Sequence, residues 1–282
     1  MLGDIYLCAS MVNEASFDER LAAASAAGYQ GIGLRPAHVK EDRAAGRTDA
    51  DLRARLDEHG LEVIEVGFAA DWWADGEQGA RAVTHERGLY ELAEAVGARH
   101  VLFITGPADH PADQPLELLA EKFAAVCDRA AEHGLRVALE CLPWTGVPDL
   151  GLGWDLVRQA GRGNGGLVLD TWHLRRGGTT EEMLRAIPPE RILTIQLSDG
   201  RHEVVGGHLE DTFQRRELPG EGEFDLAGLM RLVESLGVTA PVGAEVLSDR
   251  MRAIPVPERA RLGLEATRAV LAAARGGGDV PR

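Results

Sequence analysis

The sequence predicts an α/β fold, a single-domain (β/α)8 TIM barrel, and three observations lead there. Eight short apolar runs alternate strictly with eight stretches of helical pattern, and a unit of helix, glycine and apolar run recurs roughly every 30 residues. The runs show little polar alternation, as expected of parallel strands covered on both faces. Strict alternation implies parallel strands joined by right-handed crossovers, and 282 residues match the about 250 that such a barrel needs. An open doubly wound sheet is the alternative. No G-x-G-x-x-G follows the first run, which weakens a dinucleotide-binding reading.

Taken in order, residues 5–9 read as the first strand. Ser16 then caps a helix over residues 17–27, with Glu19 completing a capping box and Gly28 ending it. Residues 31–35 form the second strand. A helix over residues 48–59 carries Leu52 and Leu56 on one face and stops at Gly60. Residues 61–66 make the third strand, 81–96 a helix closed by Gly97, and 101–104 the fourth strand. A helix over 116–133 ends near Gly134. Four further strands follow, each running into an oxygen-bearing side chain. They are Arg136-Val137-Ala138-Leu139 into Glu140, Gly166-Leu167-Val168-Leu169 into Asp170, Ile192-Leu193-Thr194-Ile195 into Gln196, and Pro241-Val242-Gly243-Ala244 into Glu245. Helices are expected between them near 154–160, 181–187 and 226–236, with a last one over about 258–274. The barrel is assigned to residues 1–275, and residues 276–282 are expected to be a flexible tail.

Composition limits the function classes. A formal net charge of −15 lacks the basic footprint of a nucleic-acid partner. No run approaches the roughly 18 apolar residues of a membrane span. The start of the chain, Met1-Leu2-Gly3-Asp4, carries no leader pattern. Cys8, Cys127 and Cys141 show no CxxC spacing. Reduced thiols in a cytoplasmic protein are therefore expected.

Barrels of this class carry their chemistry at the C-terminal ends of the strands, where Glu140, Asp170, Gln196 and Glu245 are predicted to converge on neighbouring strands five to eight. One strand-end carboxylate is easily an ion-pair partner, but four such positions in consecutive strands point to a shared purpose. Three carboxylates in a dry pocket repel and raise one another's pKa, which a divalent cation relieves. An all-oxygen set, three anionic and one neutral, suits a hard ion. One divalent metal ion is expected, Mn²⁺ first, with Mg²⁺ or Co²⁺ as alternatives. His173, three residues beyond Asp170, joins this group as a candidate.

These segments carry a family pattern. Leu139-Glu140, Leu169-Asp170-Thr171-Trp172-His173, Ile195-Gln196-Leu197-Ser198-Asp199, Arg216-Glu217-Leu218-Pro219-Gly220-Glu221-Gly222 and Gly243-Ala244-Glu245-Val246 together make the chain resemble the sugar phosphate isomerase/epimerase superfamily of xylose isomerase-like TIM barrels. The resemblance covers nearly the whole chain. It implies metal ligands at Glu140, Asp170, Gln196 and Glu245, although many members have histidine where Gln196 stands. It implies substrate contacts for His173 and Arg216, the latter presented by the loop through Pro219-Gly220-Glu221-Gly222. Asp199 is expected behind the ligands or in substrate contact.

The chemistry that the resemblance implies is proton transfer at carbon next to a carbonyl, through an enediolate, with Glu140 and Glu245 as the catalytic carboxylates. Return of the proton to the opposite face is epimerisation, and return to the neighbouring carbon is isomerisation. Loss of a β-hydroxyl is dehydration of an inosose or dehydroshikimate type. The expected partner is a small keto-sugar or cyclic polyol, with no nucleic acid and no membrane. Related barrels often dimerise, so a homo-oligomer is compatible.

Phe68, Trp72, Trp73, Trp144 and Trp172 fall in the loops after strands. They are expected either to pack the barrel mouth or to wall a ring-shaped substrate, with Trp144 and Trp172 as the candidates for substrate contact. No evident basic cluster for a phosphate stands out apart from Arg35, Arg175 and Arg176, and Arg175-Arg176 are expected either to meet an anion or to be a solvated charged pair. Two rival readings are an endonuclease IV-like phosphodiesterase and a non-catalytic sugar-binding barrel. The first needs more histidines at strand ends than His38, His85 and His110 supply.

Overall fold

The computed structural model describes residues 2–105 and 115–276. His110 and the expected tail from residue 277 onward lie outside them. The eight predicted strands are present and close into a parallel barrel in sequence order: β1 Ile5–Leu7, β2 Gly31–Leu34, β3 Glu62–Ala69, β4 His100–Ile104, β5 Arg136–Glu140, β6 Gly165–Asp170, β7 Ile192–Leu197 and β8 Val242–Ala244. Closure joins the first and last strands, with Ile5 opposite Val242 and Leu7 opposite Ala244.

The helices form where capping and periodicity put them. Ser16 and Glu19 make the reciprocal capping box at the head of helix Phe17–Ala27, and Gly28 ends it at φ 95°. Thr48 caps helix Asp49–His59 in the same way. Two helices start earlier than the sequence pattern predicts. Helix Gly76–Val96 begins at Asp75, and helix Leu150–Ala160 begins at Asp149, whose carboxylate accepts the Leu152 N–H. Glycines in the first turns of both helices mask the helical pattern there. Short helices Thr171–Gly177 and His208–Gln214 sit in the loops after β6 and β7. They matter because the first carries His173 and the second leads into Arg216.

Side chains alternate across each strand. One set packs outward beneath the helices in the main core, with Val101, Phe103, Val137, Leu139, Leu167 and Ile195 among its members. The other set points into the barrel. There Leu102, Ala138, Val168 and Leu193 form an apolar cluster on β4 to β7. Beside it lies a polar group on β1, β3, β4 and β7: Tyr6, Glu65, His100, Thr194 and Gln196 are all buried. Gly33 on β2 makes room for it, because a Cβ there would stand 3.0 Å from Glu65 Oε1.

Candidate active site

The strand ends bring the predicted residues together. Asp170 closes β6 and caps the following helix, its Oδ1 accepting the His173 N–H at 3.0 Å. That helix turn swings the His173 ring back over the strand end. His173 Nε2 lies 3.4 Å from Glu140 Oε1 and 3.9 Å from Asp170 Oδ2. These three are buried and close enough to share one metal ion. Arg216 completes the group. Its Nη1 donates to Asp170 Oδ2 at 3.0 Å and to Glu245 Oε2 at 3.2 Å, and its Nη2 stands 3.3 Å from His173 Nε2. The backbone of Arg216 is held by the loop after β8, its N–H donating to the Leu247 carbonyl.

Glu140, His173, Gln196, Arg216 and Glu245 all line one cavity of about 110 Å³ at the barrel mouth. Trp144 lines it too, with its ring edge-on to His173 at 5.4 Å. Two predicted substrate contacts stand elsewhere. Trp172 is 1% exposed and outside the cavity wall. Its Nε1 donates to Thr212 Oγ1, and its ring lies between the guanidinium groups of Arg176 at 4.3 Å and Arg216 at 5.5 Å. It packs against Arg216 rather than lining the cavity. Asp199 is fully buried and accepts from the N–H groups of Gly200, Gly220 and Phe224. It ties down the loop that follows Arg216, the supporting position behind the ligands that the sequence pattern left open. Of the other loop aromatics, Phe68 is on the cavity wall. Trp72 and Trp73 are instead buried in the main core, with Trp72 donating to the Ile104 carbonyl.

Four residues of the site were not picked out by sequence. Ser10 Oγ donates to Glu245 Oε1 at 2.6 Å and fixes that carboxylate. Thr212 accepts from Trp172 and borders the cavity. Tyr6 and Glu65 lie deeper. Tyr6 OH donates to Glu65 Oε2 at 3.3 Å and accepts from Thr194 Oγ1 at 3.0 Å. Gln196 Nε2 donates to Glu65 Oε1 at 3.4 Å, a contact across the barrel from β7 to β3. A charged residue in the middle of the run Val63-Ile64-Glu65-Val66 was the available signal.

The electrostatics are those of a site short of positive charge. Burial opposes ionisation of Asp170, yet the Arg216 guanidinium beside it holds the carboxyl below its ordinary value. Withdrawal from water pushes the Glu245 carboxyl up to about 8. Arg216 opposes that rise, and Glu140 and Asp170 add to it. One guanidinium does not offset three carboxylates. Gln196 Oε1 is buried with no hydrogen-bond partner, a costly state for an amide oxygen. An excess of negative charge beside an orphaned neutral oxygen is the donor set that a hard divalent cation fits.

A family model described as xylose isomerase-like TIM barrel matches residues 21–270. The chain is 30% identical over 248 residues to a 3-dehydroshikimate dehydratase from Pseudomonas aeruginosa, covering 87% of this chain and 38% of that protein. The chain therefore spans well under half of that relative's length. It is 23% identical over 249 residues to an inosose isomerase from Bacillus velezensis, covering 86% of this chain and 88% of the other. Among solved structures, an IOLI protein with a bound zinc atom superposes with a TM-score of 0.87 at 19% identity, over 95% of this chain and 98% of that one.

Proposed function

Since the chain belongs to the xylose isomerase-like TIM barrel family, we propose that it is a divalent-metal-dependent enzyme that moves a proton at carbon next to a carbonyl in a sugar-like or cyclic polyhydroxy keto compound. The observation that carries this reading is the convergence of Glu140, Asp170, His173, Arg216 and Glu245 around one mouth, with the Gln196 amide oxygen left unpartnered. Glu140, Asp170, Gln196 and Glu245 would hold the cation. When bound, a divalent cation at this place polarises the substrate carbonyl and so acidifies the adjoining carbon. Mn²⁺ is the first choice, because all four proposed ligands are oxygen.

The chain's own groups do the proton handling. One of Glu140 and Glu245 removes the carbon-bound proton, and the other returns one. Ser10 keeps Glu245 in a single orientation. Arg216 donates toward oxygens at the centre of the cluster and opposes the charge that builds on the substrate oxygen. His173, braced by Trp144, faces the same oxygens. Proton return to the opposite face or the neighbouring carbon makes the enzyme an epimerase or isomerase, as the inosose isomerase relative supports. Expulsion of a β-hydroxyl, which leaves as water after taking a proton from His173, makes it a dehydratase. The 30% identity to a 3-dehydroshikimate dehydratase supports that second reading beside the first. The buried free thiols Cys8, Cys127 and Cys141 suit a reducing cytoplasmic setting.

The test is exchange of the proton next to the carbonyl in deuterated water, followed by NMR for an inosose and for 3-dehydroshikimate. Exchange or turnover by the Mn²⁺-loaded wild type that disappears in both Glu140→Gln and Glu245→Gln supports the reading. Undiminished exchange in both variants contradicts it.

A further inference from the structure

The arginines that the sequence places near the mouth part company in the structure. Arg176 is committed, with its guanidinium on Asp211 at 2.8 Å and on the Trp172 ring. Arg175 is exposed and lies over Phe224, away from the cavity. Arg216 lines the cavity, but Asp170 and Glu245 already match its charge. Arg35 is different. It follows β2 directly, is half-buried, and lines the cavity. Its Nη1 donates to the neutral Asn13 Oδ1 at 3.0 Å, and its guanidinium lies over the Phe68 ring at 5.2 Å. Among the described residues its Nε and Nη2 make no hydrogen bond, and no carboxylate pairs with it.

In an eight-stranded barrel closed in sequence order, β2 stands opposite β6. Arg35 thus faces Asp170 across the mouth. No carboxylate among the described residues stands within ion-pair distance of it. Arg20 is fully buried and donates to the carbonyls of Ala9 and Val12, and its Nη2 lies 3.1 Å from His38 Nε2. Of the carboxylates in this quarter, Glu14 is taken by Arg259, and Glu65 on the neighbouring strand lines the same cavity and accepts from Tyr6 and Gln196. A guanidinium held over an aromatic ring, with two N–H donors open to the cavity, matches a planar carboxylate in both charge and shape. A phosphate ester fits less well. It brings nearly two charges to one uncommitted cation, in a cavity that already holds Glu65, Glu140 and Glu245.

We propose that Arg35 is the anion-binding group of this cavity and selects keto-polyol acids, taking the substrate carboxylate at β2 while the keto end reaches the cluster at β5 to β8. The proposal builds on the keto-compound reading above, but its binding test does not need turnover.

Calorimetry on the Mn²⁺-loaded protein measures binding of 3-dehydroshikimate, which carries a carboxylate, and of an inosose, which does not. The wild type, Arg35→Gln and Arg35→Lys are compared. Loss of a charge-assisted hydrogen-bond pair predicts affinity for the acid about 10- to 100-fold weaker in Arg35→Gln, with part of it restored in Arg35→Lys. Affinity for the inosose stays the same across the three proteins, which also reports that the variants are folded. Acid affinity unchanged in Arg35→Gln, an equal loss for both ligands, or no binding of the acid to the wild type overturns the assignment. Binding of the acid through Arg35 without exchange or turnover leaves Arg35 as the anion site and contradicts the enzymatic reading alone.

Discussion

The two halves of the barrel mouth are built from opposite materials. On β5 to β8, Glu140, Asp170 and Glu245 crowd around Arg216 and His173, while the Gln196 amide oxygen and His173 Nδ1 are left without hydrogen-bond partners. On β1 to β4, the wall is Phe68, Leu102 and Ile104 with Arg35 at the rim, and the buried carboxylate Glu65 sits lower, under hydrogen bonds from Tyr6 and Gln196. One half concentrates charge whose mutual repulsion a cation relieves. The other offers apolar surface and one uncommitted cation. The division separates chemistry from recognition. A substrate's reacting carbons belong over the acidic half, and its remaining bulk belongs over the other.

This division can be broken from the acidic side first. Glu140→Gln and Glu245→Gln each keep the shape of the site and remove its base, so proton exchange falls roughly 10²- to 10⁴-fold while thermal stability stays near wild type. Next is Arg216→Met, which leaves Asp170 and Glu245 buried without their counter-charge. Removing one partner of a buried pair costs about 3–5 kcal/mol, read as a lower Tm. Mn²⁺ should raise the Tm of this variant more than that of the wild type, because the cation takes over the charge balance that Arg216 provided. An equal rise in both would argue against a cation at this cluster.

The link between the halves is the contact of Glu65 with Gln196. Glu65 accepts from the amide nitrogen and so aims the amide oxygen toward the mouth. Outer partners of metal ligands are worth about 10- to 100-fold in metal affinity. Glu65→Ala should therefore weaken Mn²⁺ binding by that factor in calorimetry, although Glu65 itself is no ligand. A separate, pH-dependent effect belongs to the β1–β4 half alone. Burial, with the charges of Arg20 and Arg35 behind it, pulls the His38 pKa from 6.5 down to about 3, so the folded protein keeps this ring neutral. The unfolded chain takes up a proton below about pH 6.5 that the folded chain refuses until near pH 3. Stability from this group is thus complete above pH 6.5 and falls on acidification through that window, at up to about 1.4 kcal/mol per pH unit. Denaturant unfolding between pH 7 and pH 4 should show a shallower decline in His38→Gln than in the wild type.

The acidic half was largely legible in the sequence because each of its strands is an apolar run that stops at a polar residue. One such stop can be an ion-pair partner, but four in consecutive strands stand out, and the barrel places the stops in one ring. Asp170 and His173 were also readable as a cap and the third residue of a turn. On the β1–β4 half Arg35 stood out at the end of β2, but Glu65 and Ser10 did not, since they do not sit at stops. Glu65 lies within β3, where inward alternation alone decides that it faces Gln196, and Ser10 lies in the short 3-10 turn Ala9–Val12 after β1. Trp172 shows the limit in the other direction. Sequence puts it beside His173, but a helix turn of roughly 100° per residue sends the two rings to different sides, one to the cavity and one beneath Arg216. The same geometry explains Arg176, which follows Trp172 into the packing around Asp211. Trp72 and Trp73 likewise look like mouth residues by position, yet Phe123 and Ile104 draw Trp72 into the core.

The central claim is that the β5–β8 cluster holds one divalent cation. The most direct measurement is elemental analysis of purified protein after loading with Mn²⁺ and removal of the excess, for the wild type beside Glu245→Ala and Arg35→Gln. About one metal ion per chain is expected in the wild type and in Arg35→Gln, and loss of that ion in Glu245→Ala. The same metal content in all three proteins, or no metal retained by the wild type, would contradict it.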